Sequence, residues 1–466
     1  MISIYINVYD KKIIDLILKN ISKFRIYSQG SSYRYLIENQ IDAIEIKKTD
    51  IHPNFIVISS FFKNQKKQIN LVIADTNEND YLNKILILAA TLSNIPVASD
   101  MEMIQKLNQS IEIFGDITDE LKKEMIHKNL LKFSYFLSKK SYEIFPYIIG
   151  NETTIPLKKL KDFQYGENPH QKAYYYHSPL KTSLNLNNIE VLNGELNFNH
   201  IIDIAKIIRI LRDIKQNTIL VMRHSNIVFA AVNESFQKLF SYIDNKILKS
   251  SIVAINGSVD DIDVIRYLEE NLSEMIIATS FDEKIKDNFN KHSFQIKAVK
   301  AKITSIDAPK EYEIINAGEN FLIQDSDTFV EEKLLSITRN IHIHPDPYIQ
   351  FALTLLKHSK TFSSLCITGN ILVALSQSEP SPLEAIRTLI AKIKIKMRDK
   401  NMIKLKGNTI VAFEGKLDDK IIDELAQVHL NTLIITDRDT IKNYSEKLKK
   451  LPYEVVVTEK RHFRHF

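Results

Sequence analysis

The sequence predicts an α/β protein that begins with a doubly wound parallel sheet, and the order of its apolar runs is the main evidence. Through residues 1–145, short β-rich runs alternate with amphipathic helical runs. Strands that alternate with helices are typical of a parallel sheet, because each parallel strand needs a crossover connection. Residues 160–330 and 331–466 then follow a similar order of elements, which predicts two related α/β units.

Hydrophobic spacing justifies each element of the first domain. Five apolar residues recur at helical spacing within segment 11–22, namely Ile13, Ile14, Ile17, Leu18 and Ile21. A second predicted helix ends at residue 39, and a third covers 81–92. Apolar runs rich in β-branched residues predict the strands, at 2–8, 24–27, 70–74 and 96–100.

A helical stretch and a linker separate this domain from the rest. Residues 116–148 have a helical pattern, and 150–156 form the expected boundary. We therefore expect three domains, at 1–148, 149–330 and 331–466. Later helices are predicted at 201–214, 261–272, 347–358, 382–397, 419–428 and 441–448, and strands at 218–222, 251–256, 275–278, 365–367, 372–376, 409–413, 432–436 and 453–458.

Composition excludes several classes of protein. The 466 residues carry a net charge of +5, from 62 basic and 57 acidic residues, so charge gives no argument for a nucleic-acid partner. No stretch approaches the ~20 apolar residues of a membrane helix, and the first residues lack the pattern of a signal peptide. The single cysteine, Cys366, excludes a disulfide framework and a cysteine-based metal site. We expect a soluble, cytoplasmic protein without a metal.

The scarcity of glycine removes a further class of site. Only 10 glycines occur in the chain, and it contains neither a GxGxxG nor a Walker A sequence. Classical glycine-rich phosphate loops are therefore not expected. A drift of the composition toward Ile, Lys and Asn explains this bias more simply than a functional cause does.

Two polar segments stand out from the apolar pattern. Residues 165–172 read Tyr-Gly-Glu-Asn-Pro-His-Gln-Lys, and Pro169 forces the residue before it out of the helical region. Arg223 and His224 follow the apolar run 219–222, so we expect them at the carboxyl end of a strand, where open α/β sheets bind ligands. A histidine there can act as a general base, and an arginine supplies positive charge. Taken singly, each segment is better explained as a capped turn or a surface pair.

Two further segments contain residue types that bind anions. The chain ends Arg461-His462-Phe463-Arg464-His465-Phe466, which is either a solvated tail or a terminus that enters an anion site. A serine-rich turn, from Ser28 to Ser32, lies between a predicted strand and a predicted helix. Amide N–H groups at a helix N-terminus bind anions, although an ordinary N-cap explains this turn equally well.

Together and in this order, the segments resemble the bifunctional purine-biosynthesis family that joins AICAR formyltransferase to IMP cyclohydrolase. The family motif Arg-Tyr-Gly-Glu-Asn-Pro-His-Gln is similar to residues 164–171, and Leu-His/Asn-Gly-Lys-Glu-Leu-Ser-Tyr-Asn is similar to 192–199. The family's Lys-His pair falls on Arg223-His224, and its Val-Ile-Ile-Ala-Pro-Ser-Phe on 275–281. Its C-terminus matches 461–465, and weaker similarity covers the chain from Ser3 onward.

The resemblance implies a fold and a chemistry. The first domain would be methylglyoxal-synthase-like, and two cytidine-deaminase-like subdomains would form the formyltransferase. A formyl group would pass from the co-substrate 10-formyltetrahydrofolate to the 5-amino group of AICAR in a homodimer, with His224 as general base and Arg223 stabilising charge. The resemblance assigns substrate binding to Tyr165, Asn168, His170, Asn193, Gly194, Arg461, Phe463 and His465, and a cyclohydrolase-like nucleotide site to Asp10, Lys11, Ser28, Gly30 and Ser31.

Departures from the family pattern affect both activities. In the formyltransferase region the family's Arg before the Tyr is Gln164, its catalytic Lys is Arg223, its substrate-binding Asn is Phe362, and Pro380 stands in place of another Arg. In the first domain only 49–53 retain part of the motif Gly-Arg-Val-Lys-Thr-Leu-His-Pro, Asn-Leu-Tyr-Pro becomes 75–78, and the catalytic Lys falls near Thr91. We expect the cyclohydrolase activity to be lost.

Three hypotheses remain open on the sequence alone. The first is a divergent AICAR formyltransferase. The second is a catalytically impaired copy that acts as a nucleotide-binding or dimer-partner protein, and the third is a relic protein. An assay with AICAR and 10-formyltetrahydrofolate separates the first from the other two.

Overall fold

The computed structural model describes residues 2–46, 69–75, 81–144, 150–179, 186, 189–214, 216–291, 293–303, 312–398, 407–439, 441–462 and 464. The chain divides into two units. Unit 1 contains residues 1–158 and 177–180, and unit 2 contains 159–176 and 181–466. Among the described residues, no helix is long and apolar enough to cross a membrane.

Unit 1 contains the predicted parallel sheet, which is confirmed. Its five strands have the order β3-β2-β1-β4-β5, and every pair of neighbours is parallel. The strands are β1 (Ile2–Asn7), β2 (Phe24–Ser28), β3 (Ile44–Glu45), β4 (Leu71–Ala74) and β5 (Val97–Ala98), and the helices are α1 (Lys12–Ile17), a 3₁₀ helix (Leu18–Lys23), α2 (Gly30–Glu38), α3 (Tyr81–Leu92), α4 (Met101–Phe114) and α5 (Asp119–Ile144).

Both faces of this sheet are covered, as a doubly wound fold requires. Alternate residues of β1 lie on opposite faces of the sheet, because successive side chains of a strand point in opposite directions. Ile4 and Ile6 belong to one apolar cluster, which includes residues of α1 and α4. Tyr5, between them, belongs to a second cluster that includes residues of α3. The near-continuous apolar strands of the sequence follow from this burial on both sides.

Unit 2 is built on a 13-stranded mixed sheet with the order β17-β16-β22-β21-β20-β18-β19-β10-β9-β11-β12-β13-β8. Two separate hairpins, β6–β7 and β14–β15, accompany it. The strands are β6 (Lys158–Phe163), β7 (Ala173–His177), β8 (Ile189–Asn193), β9 (Thr218–Arg223), β10 (Asn226–Val232), β11 (Ile252–Val259), β12 (Met275–Phe281), β13 (Lys297–Ala301), β14 (Tyr312–Ala317), β15 (Asn320–Asp325), β16 (Leu334–Ser336), β17 (Ile341–Ile343), β18 (Ser364–Thr368), β19 (Ile371–Ser376), β20 (Thr409–Phe413), β21 (Thr432–Ile435) and β22 (Glu454–Thr458).

The helices of unit 2 lie between these strands in chain order. They are α6 (Phe198–Asp213), α7 (Phe236–Ser241), α8 (Ile262–Glu270), α9 (Glu283–Asn290), α10 (Pro347–Lys357), α11 (Pro382–Arg398), α12 (Asp419–Leu425) and α13 (Ile441–Leu448). One apolar cluster contains residues of both α6 and α10, together with inward-facing residues of strands from both ends of the sheet. Two separate clusters contain the other helices, one with α7 to α9 and one with α11 to α13.

The large sheet repeats one arrangement twice. In the half that spans 189–301, the order β10-β9-β11-β12-β13-β8 pairs three parallel strands, β11 to β13, with antiparallel neighbours at both ends. In the half that spans 334–458, the order β19-β18-β20-β21-β22-β16 has the same directions. The halves join through one antiparallel pair, at Ala231 and Ile371. We name them the first half and the second half.

One prediction about the sheet was wrong. Arg223 and His224 were expected at the carboxyl ends of parallel strands, but β9 is antiparallel to both of its neighbours, β10 and β11. The carboxyl end of β9 therefore lies at the amino ends of the parallel strands. The apolar run 219–222 could not reveal this, because a strand buried on both faces has the same pattern in either direction.

Candidate functional site

The β9–β10 hairpin presents His224 at the tip of a two-residue turn. Arg223 pairs with Asn226 across the hairpin, which leaves only His224 and Ser225 in the turn. Both central residues have positive φ, 49° and 58°, as in a type I′ turn, where Asn and Gly are preferred. His224 is exposed, so its imidazole is accessible. A left-handed backbone at two non-glycine residues is costly and is found more often at functional sites than elsewhere.

Arg223 anchors a neighbouring loop. Its guanidinium Nη2 donates to the carbonyl oxygens of Ile247, at 2.9 Å, and Lys249, at 2.7 Å. These carbonyls follow a short 3₁₀ helix that ends at Ile247. The contacts give Arg223 a structural function that a shorter, single-headed lysine cannot reproduce. The predicted stabilisation of charge by Arg223 stays a prediction, and its observed contacts are with the protein backbone.

Helix α6 supplies two polar side chains that hold the other side of the turn. Ser225 Oγ donates to Asp203 Oδ1, and Lys206 Nζ donates to the carbonyl oxygen of Ser225 at 2.8 Å. Asp203 is buried, although the helix face around it is apolar. Positions three apart lie on the same face of a helix, so Asp203 and Lys206 can both form hydrogen bonds with Ser225.

Lys206 lies close to both the β9–β10 turn and the C-terminal tail. Burial, followed by the positive charges of Arg464 and Lys360, lowers the pKa of Lys206 to about 8, although Asp203 opposes the shift. Three cationic side chains from α6, the segment after α10 and the tail therefore lie close enough to repel one another. Clustered cations in a partly desolvated position attract anionic groups such as a phosphate.

A buried histidine, His200, and the carboxylate of Glu274 are in contact near this turn. His200 Nε2 lies 2.8 Å from Glu274 Oε1, while its Nδ1 accepts the backbone N–H of Asn197 at 3.0 Å. Because Nδ1 accepts, the proton of the neutral ring is on Nε2 and points at the carboxylate. The hydrogen bond from His200 lowers the pKa of Glu274, against the effect of burial, and the charges of Lys297 and His224 add to the lowering. Glu274 is thus a negative group close to His224.

Asn193 and Gly194 have structural contacts, and their predicted contacts with a substrate stay predictions. The buried Asn193 amide donates to the carbonyl oxygens of Phe294, at 3.0 Å, and Ile296, at 2.8 Å. Gly194 has a φ of +77°, and a Cβ there would lie 2.7 Å from Lys297 Cγ. This motif therefore fixes the backbone beside the site.

The segment 165–172 is the loop of the β6–β7 hairpin. Gln171 holds it together, because its side-chain oxygen accepts the Asn168 backbone N–H at 2.8 Å and the Asn168 amide at 3.1 Å. The Gly166 N–H donates to the Gln171 carbonyl at 2.9 Å. Asn168 is thus a loop-forming residue. His170 is exposed and Tyr165 half-buried, and both stay predictions as ligands.

The hairpin and the 192–199 motif, which are predicted to act together, are in contact. The ring of Phe163, in β6, lies edge-on to that of Phe198, with centroids 6.1 Å apart. Lys161 Nζ donates to Glu195 at 2.7 Å. Phe198 is the first residue of α6, the helix that carries His200, Asp203 and Lys206. The two motifs therefore converge on the start of that helix.

Part of the predicted tail site is described. Arg461 Nη1 lies 3.8 Å from Asp437, and Arg464 Nη2 lies 3.6 Å from Glu313. The backbone of Arg464 exchanges two hydrogen bonds with Thr361, at 2.9 and 3.1 Å. Phe463 and His465 lie outside the described residues.

The predicted nucleotide site of unit 1 is held by its own side chains. Lys11 Nζ donates to the Val8 carbonyl at 2.9 Å and lies 3.3 Å from Ser31 Oγ. The N–H groups of Tyr9 and Asp10 donate to the Asp75 carboxylate at 2.7 and 2.9 Å. Gly30 has a φ of +60° at the start of α2, and Ser28 Oγ donates to the Ile6 carbonyl at 2.8 Å. Segment 49–53 lies outside the described residues.

The residues that support the turn were not predicted from the sequence. His200, Asp203 and Lys206 are spaced by three along α6, and this polar stripe on an apolar helix was the available signal. Lys360 and Glu274 had no such signal, because they reach the site from separate parts of the chain. No group of three or more His, Cys, Asp or Glu that could hold a metal occurs within the described part of the chain.

Comparisons with known proteins agree on one family. Residues 91–392 match the family described as AICARFT/IMPCHase bienzyme. The chain is similar to a bifunctional purine biosynthesis protein PurH of Persephonella marina, with 26% identity over 67% of this chain and 61% of that protein. Proteins of the same name from Aquifex aeolicus and Caldicellulosiruptor bescii are 24% and 22% identical, over 94% and 99% of this chain and 86% and 99% of theirs.

Proposed function

Because this chain belongs to the AICARFT/IMPCHase bienzyme family, we propose that unit 2 transfers a formyl group from 10-formyltetrahydrofolate to AICAR. The observation that supports this most is the cationic cluster of Lys206, Lys360 and Arg464 beside the His224 turn. It brings a possible general base, a possible anion site and the chain terminus into one region. A phosphorylated amine is the kind of substrate that such a combination can hold and deprotonate.

The reaction needs one base and one proton donor. The amino nitrogen of AICAR attacks the formyl carbon, and the His224 imidazole accepts the amine proton as the new C–N bond forms. The tetrahedral intermediate then releases the N10 nitrogen of the folate, which takes the proton back from the imidazolium. The exposed position of His224 on its turn allows both substrates to approach it.

The residues around His224 have positioning roles in this proposal. Asp203 and Lys206 hold Ser225, and Arg223 holds the loop 247–249, so both flanks of the histidine are fixed. The Glu274 carboxylate favours a positive charge on His224 during proton transfer. A fixed polar environment of this kind lowers the reorganisation that the reaction requires. Lys206 and Arg464 would bind the phosphate of AICAR.

We propose that the cyclohydrolase activity is absent. Thr91, which stands near the position of the family's catalytic lysine, is buried and donates its hydroxyl to the Ile87 carbonyl within α3, at 2.7 Å. It therefore cannot reach a substrate. The Asp75 carboxylate also occupies the backbone N–H groups of residues 9 and 10, and a second anion at that position would be repelled.

We also propose that the protein forms a homodimer. The β14–β15 hairpin exposes apolar side chains, with Phe321 64% and Leu322 58% accessible to solvent. An exposed apolar surface of this kind is typical of a protein–protein contact. Sedimentation equilibrium tests the proposal. A dimer that dissociates on Phe321→Glu and Leu322→Glu substitution supports it, and a monomeric wild-type protein contradicts it.

Formyl transfer is tested directly with purified protein, AICAR and 10-formyltetrahydrofolate. We expect tetrahydrofolate and formyl-AICAR to appear in equal amounts and IMP not to follow. Formation of IMP would refute the proposed loss of cyclohydrolase activity. Absence of turnover would refute the transferase. If calorimetry then showed AICAR binding, the alternative of a nucleotide-binding or dimer-partner protein would be favoured, in agreement with the losses at Gln164, Phe362 and Pro380.

A further inference from the structure

The described residues of the C-terminal tail lie at the carboxyl ends of three parallel strands of the second half. Strand β20 is followed by Glu414, β21 by Asp437 and β22 by Glu459. Arg461 lies beside Asp437, and its charge and that of His462 act on Glu414. A tail that carries several cations thus lies near acidic residues from the ends of two of these strands, Glu414 and Asp437.

Contacts at the start and at the end of this tail hold it in place. At its start, the buried Glu331 accepts the backbone N–H groups of Lys460 and Glu459, at 2.9 and 3.4 Å. The ring of Phe329 lies under Lys460 Nζ, 4.0 Å from the ring centroid. At the end of the tail, the hydroxyl of Thr361 accepts the Arg464 N–H at 3.1 Å and donates to Glu414 Oε2 at 2.9 Å.

We propose that Glu414 and Thr361 form a latch that positions the C-terminal tail, with the Thr361 hydroxyl as the bridge. This inference concerns the position of the tail, and its link to catalysis rests on the proposed function. The hydroxyl of Thr361 has one proton, and the Glu414 carboxylate receives it. The oxygen lone pairs of Thr361 therefore remain directed at the Arg464 N–H. Without Glu414, the same hydroxyl could rotate, and the Arg464 N–H would lose its fixed acceptor. The hydrogen bond from the Thr361 N–H to the Arg464 carbonyl, at 2.9 Å, would remain.

The burial of Glu414 supports a positioning role. The residue is only 1% exposed, and glutamate is almost never buried unless it is paired. Burial raises its pKa to about 7, although hydrogen bonds from Thr361 and Ser363 and the charges of Arg461 and His462 oppose the shift. Buried carboxyl groups with a shifted pKa and specific partners are found more often at functional sites than elsewhere.

Ser363 provides a matched control for Thr361. Its hydroxyl also donates to Glu414 Oε2, at 3.2 Å, and the Glu414 N–H donates to the Ser363 carbonyl at 2.9 Å. The described contacts of Ser363 do not include the tail. Thr361→Val and Ser363→Ala therefore each remove one hydroxyl from Glu414, but only Thr361→Val also removes the acceptor of the Arg464 N–H. The hydrogen bond from the Thr361 N–H to the Arg464 carbonyl is kept in both variants.

Hydrogen exchange of the C-terminal peptide tests the latch in the full-length protein. We expect Thr361→Val to accelerate exchange of the Arg464 N–H at least tenfold, Thr361→Ser to restore the wild-type rate, and Ser363→Ala to change it less than twofold. Equal effects of Thr361→Val and Ser363→Ala, or no effect of either, would overturn the latch. Exchange in β20 reports whether a variant has unfolded, and Glu414→Ala then supplies an independent removal of the same bridge.

A kinetic measurement on the same variants separates the latch from the proposed function. If the tail binds AICAR, Thr361→Val should raise the KM for AICAR about tenfold and leave kcat nearly unchanged, and Thr361→Ser should reverse the change. Accelerated exchange supports the latch whatever the KM. An unchanged KM in a variant with accelerated exchange would instead refute the role of the tail in binding AICAR.

Discussion

The two halves of the large sheet have the same strand order, but their corresponding hairpin turns differ in composition. The β9–β10 turn consists of His224 and Ser225, both with positive φ. The β18–β19 turn consists of Gly369 and Asn370, in which Gly369 alone has positive φ, 55°. Glycine at the first central position is what a two-residue turn of the II′ type prefers. The second half thus has a residue suited to the turn, whereas the first half has an exposed imidazole at the same place.

The helices that precede the two hairpins differ in the same way. Helix α10 is buried almost along its whole length, and most of its residues from Ile349 to Leu356 are apolar. Helix α6 has a similar apolar face, but it also directs His200, Asp203 and Lys206 at the groups around the β9–β10 turn. The comparison shows that one scaffold supports a polar site in one half and uses the corresponding position for packing in the other.

The strongest test of the difference between the turns is removal of the imidazole. His224→Ala should lower kcat/KM for formyl transfer by about 10²–10⁴, the range that general acid–base catalysis contributes. Asn370→Ala, in the other turn, should leave the activity of the folded protein unchanged. Steady-state assays of both variants check this, and equal losses of activity would show that the two turns do not differ in function.

The Arg223→Lys variant distinguishes the effect of the positive charge from the effect of the contacts that hold the loop 247–249. The family carries lysine at this place, so a lysine that supplies the same charge should keep or raise activity. If the contacts of Arg223 with the backbone carbonyls of Ile247 and Lys249 contribute more than its charge does, the variant should instead lose thermal stability. Activity that changes with neither Arg223→Lys nor His224→Ala would show that no chemistry takes place at this turn.

The third prediction concerns the contact between α6 and α10, the corresponding helices of the two halves. At the end of α6, the buried Asp213 accepts from Lys357 at 3.0 Å and from His358 at 2.8 Å. Burial raises the pKa of Asp213, but the hydrogen bond from His358 and the charge of Lys357 outweigh it and hold that pKa below its usual range. Burial lowers the pKa of His358 to about 4, so His358 is neutral at pH 7.

Asp213→Asn should therefore destabilise unit 2 by about 3–5 kcal/mol at pH 7, because the buried Lys357 ammonium loses its hydrogen-bonded counter-ion. Only the more exposed Asp327 carboxylate, 3.9 Å away, then remains as a counter-ion. The stabilisation from a depressed carboxyl pKa is present above about pH 4, the usual aspartate value, and is lost as the pH falls further. The difference in unfolding free energy between wild type and variant should thus shrink in acid. Urea titrations at pH 7 and pH 3 measure it, and an equal difference at both would contradict the assignment.

Much of the fold could be predicted from the sequence, and the reasons for the errors are physical. The apolar run at 218–222 and the helical spacing at 201–214 placed β9 and α6 within a few residues of their observed bounds. The antiparallel direction of β9 could not be predicted, because His224-Ser225 lacks the Asn-Gly signal of a tight hairpin. Arg223 and His224 were identified from the family motif, whereas the cationic cluster depends on tertiary contacts among Lys206, Lys360 and Arg464.

The fourth prediction concerns Lys206, which distinguishes α6 from α10. Lys206→Met should weaken AICAR binding about 10- to 100-fold, the effect of losing a charge-assisted contact of about 1.5–3 kcal/mol. Because burial and the neighbouring cations lower the pKa of Lys206 to about 8, the ammonium is lost as the pH rises through that value. Wild-type affinity should fall between pH 7 and pH 9, and that of the variant should change less.

Lys206→Arg is the matched control for this measurement. An arginine keeps its charge throughout this pH range, so the affinity of that variant should not fall between pH 7 and pH 9. Isothermal titration at several pH values gives the three profiles. Parallel profiles for wild type and both variants would show that another group titrates, and that Lys206 does not bind the anion.

The smallest expected effect compares the backbone of the two turns directly. The backbone of His224 has a left-handed φ of 49°, which is unfavourable for histidine and which asparagine tolerates better. His224→Asn should therefore stabilise the protein by up to about 1 kcal/mol while it removes the base. Gly369→Ala should have the opposite sign, because a Cβ at Gly369 meets no atom within 4 Å and only the φ of 55° opposes it.

Paired thermal unfolding of these two variants completes the comparison. Opposite shifts in Tm, each equivalent to about 1 kcal/mol, would show that the first half retains an unfavourable turn residue where the second half has a favourable one. The stability lost at His224 would then be the consequence of keeping an imidazole at that place. Shifts of the same sign would mean that contacts of the His224 side chain stabilise the turn, and a structural reason for the histidine would suffice.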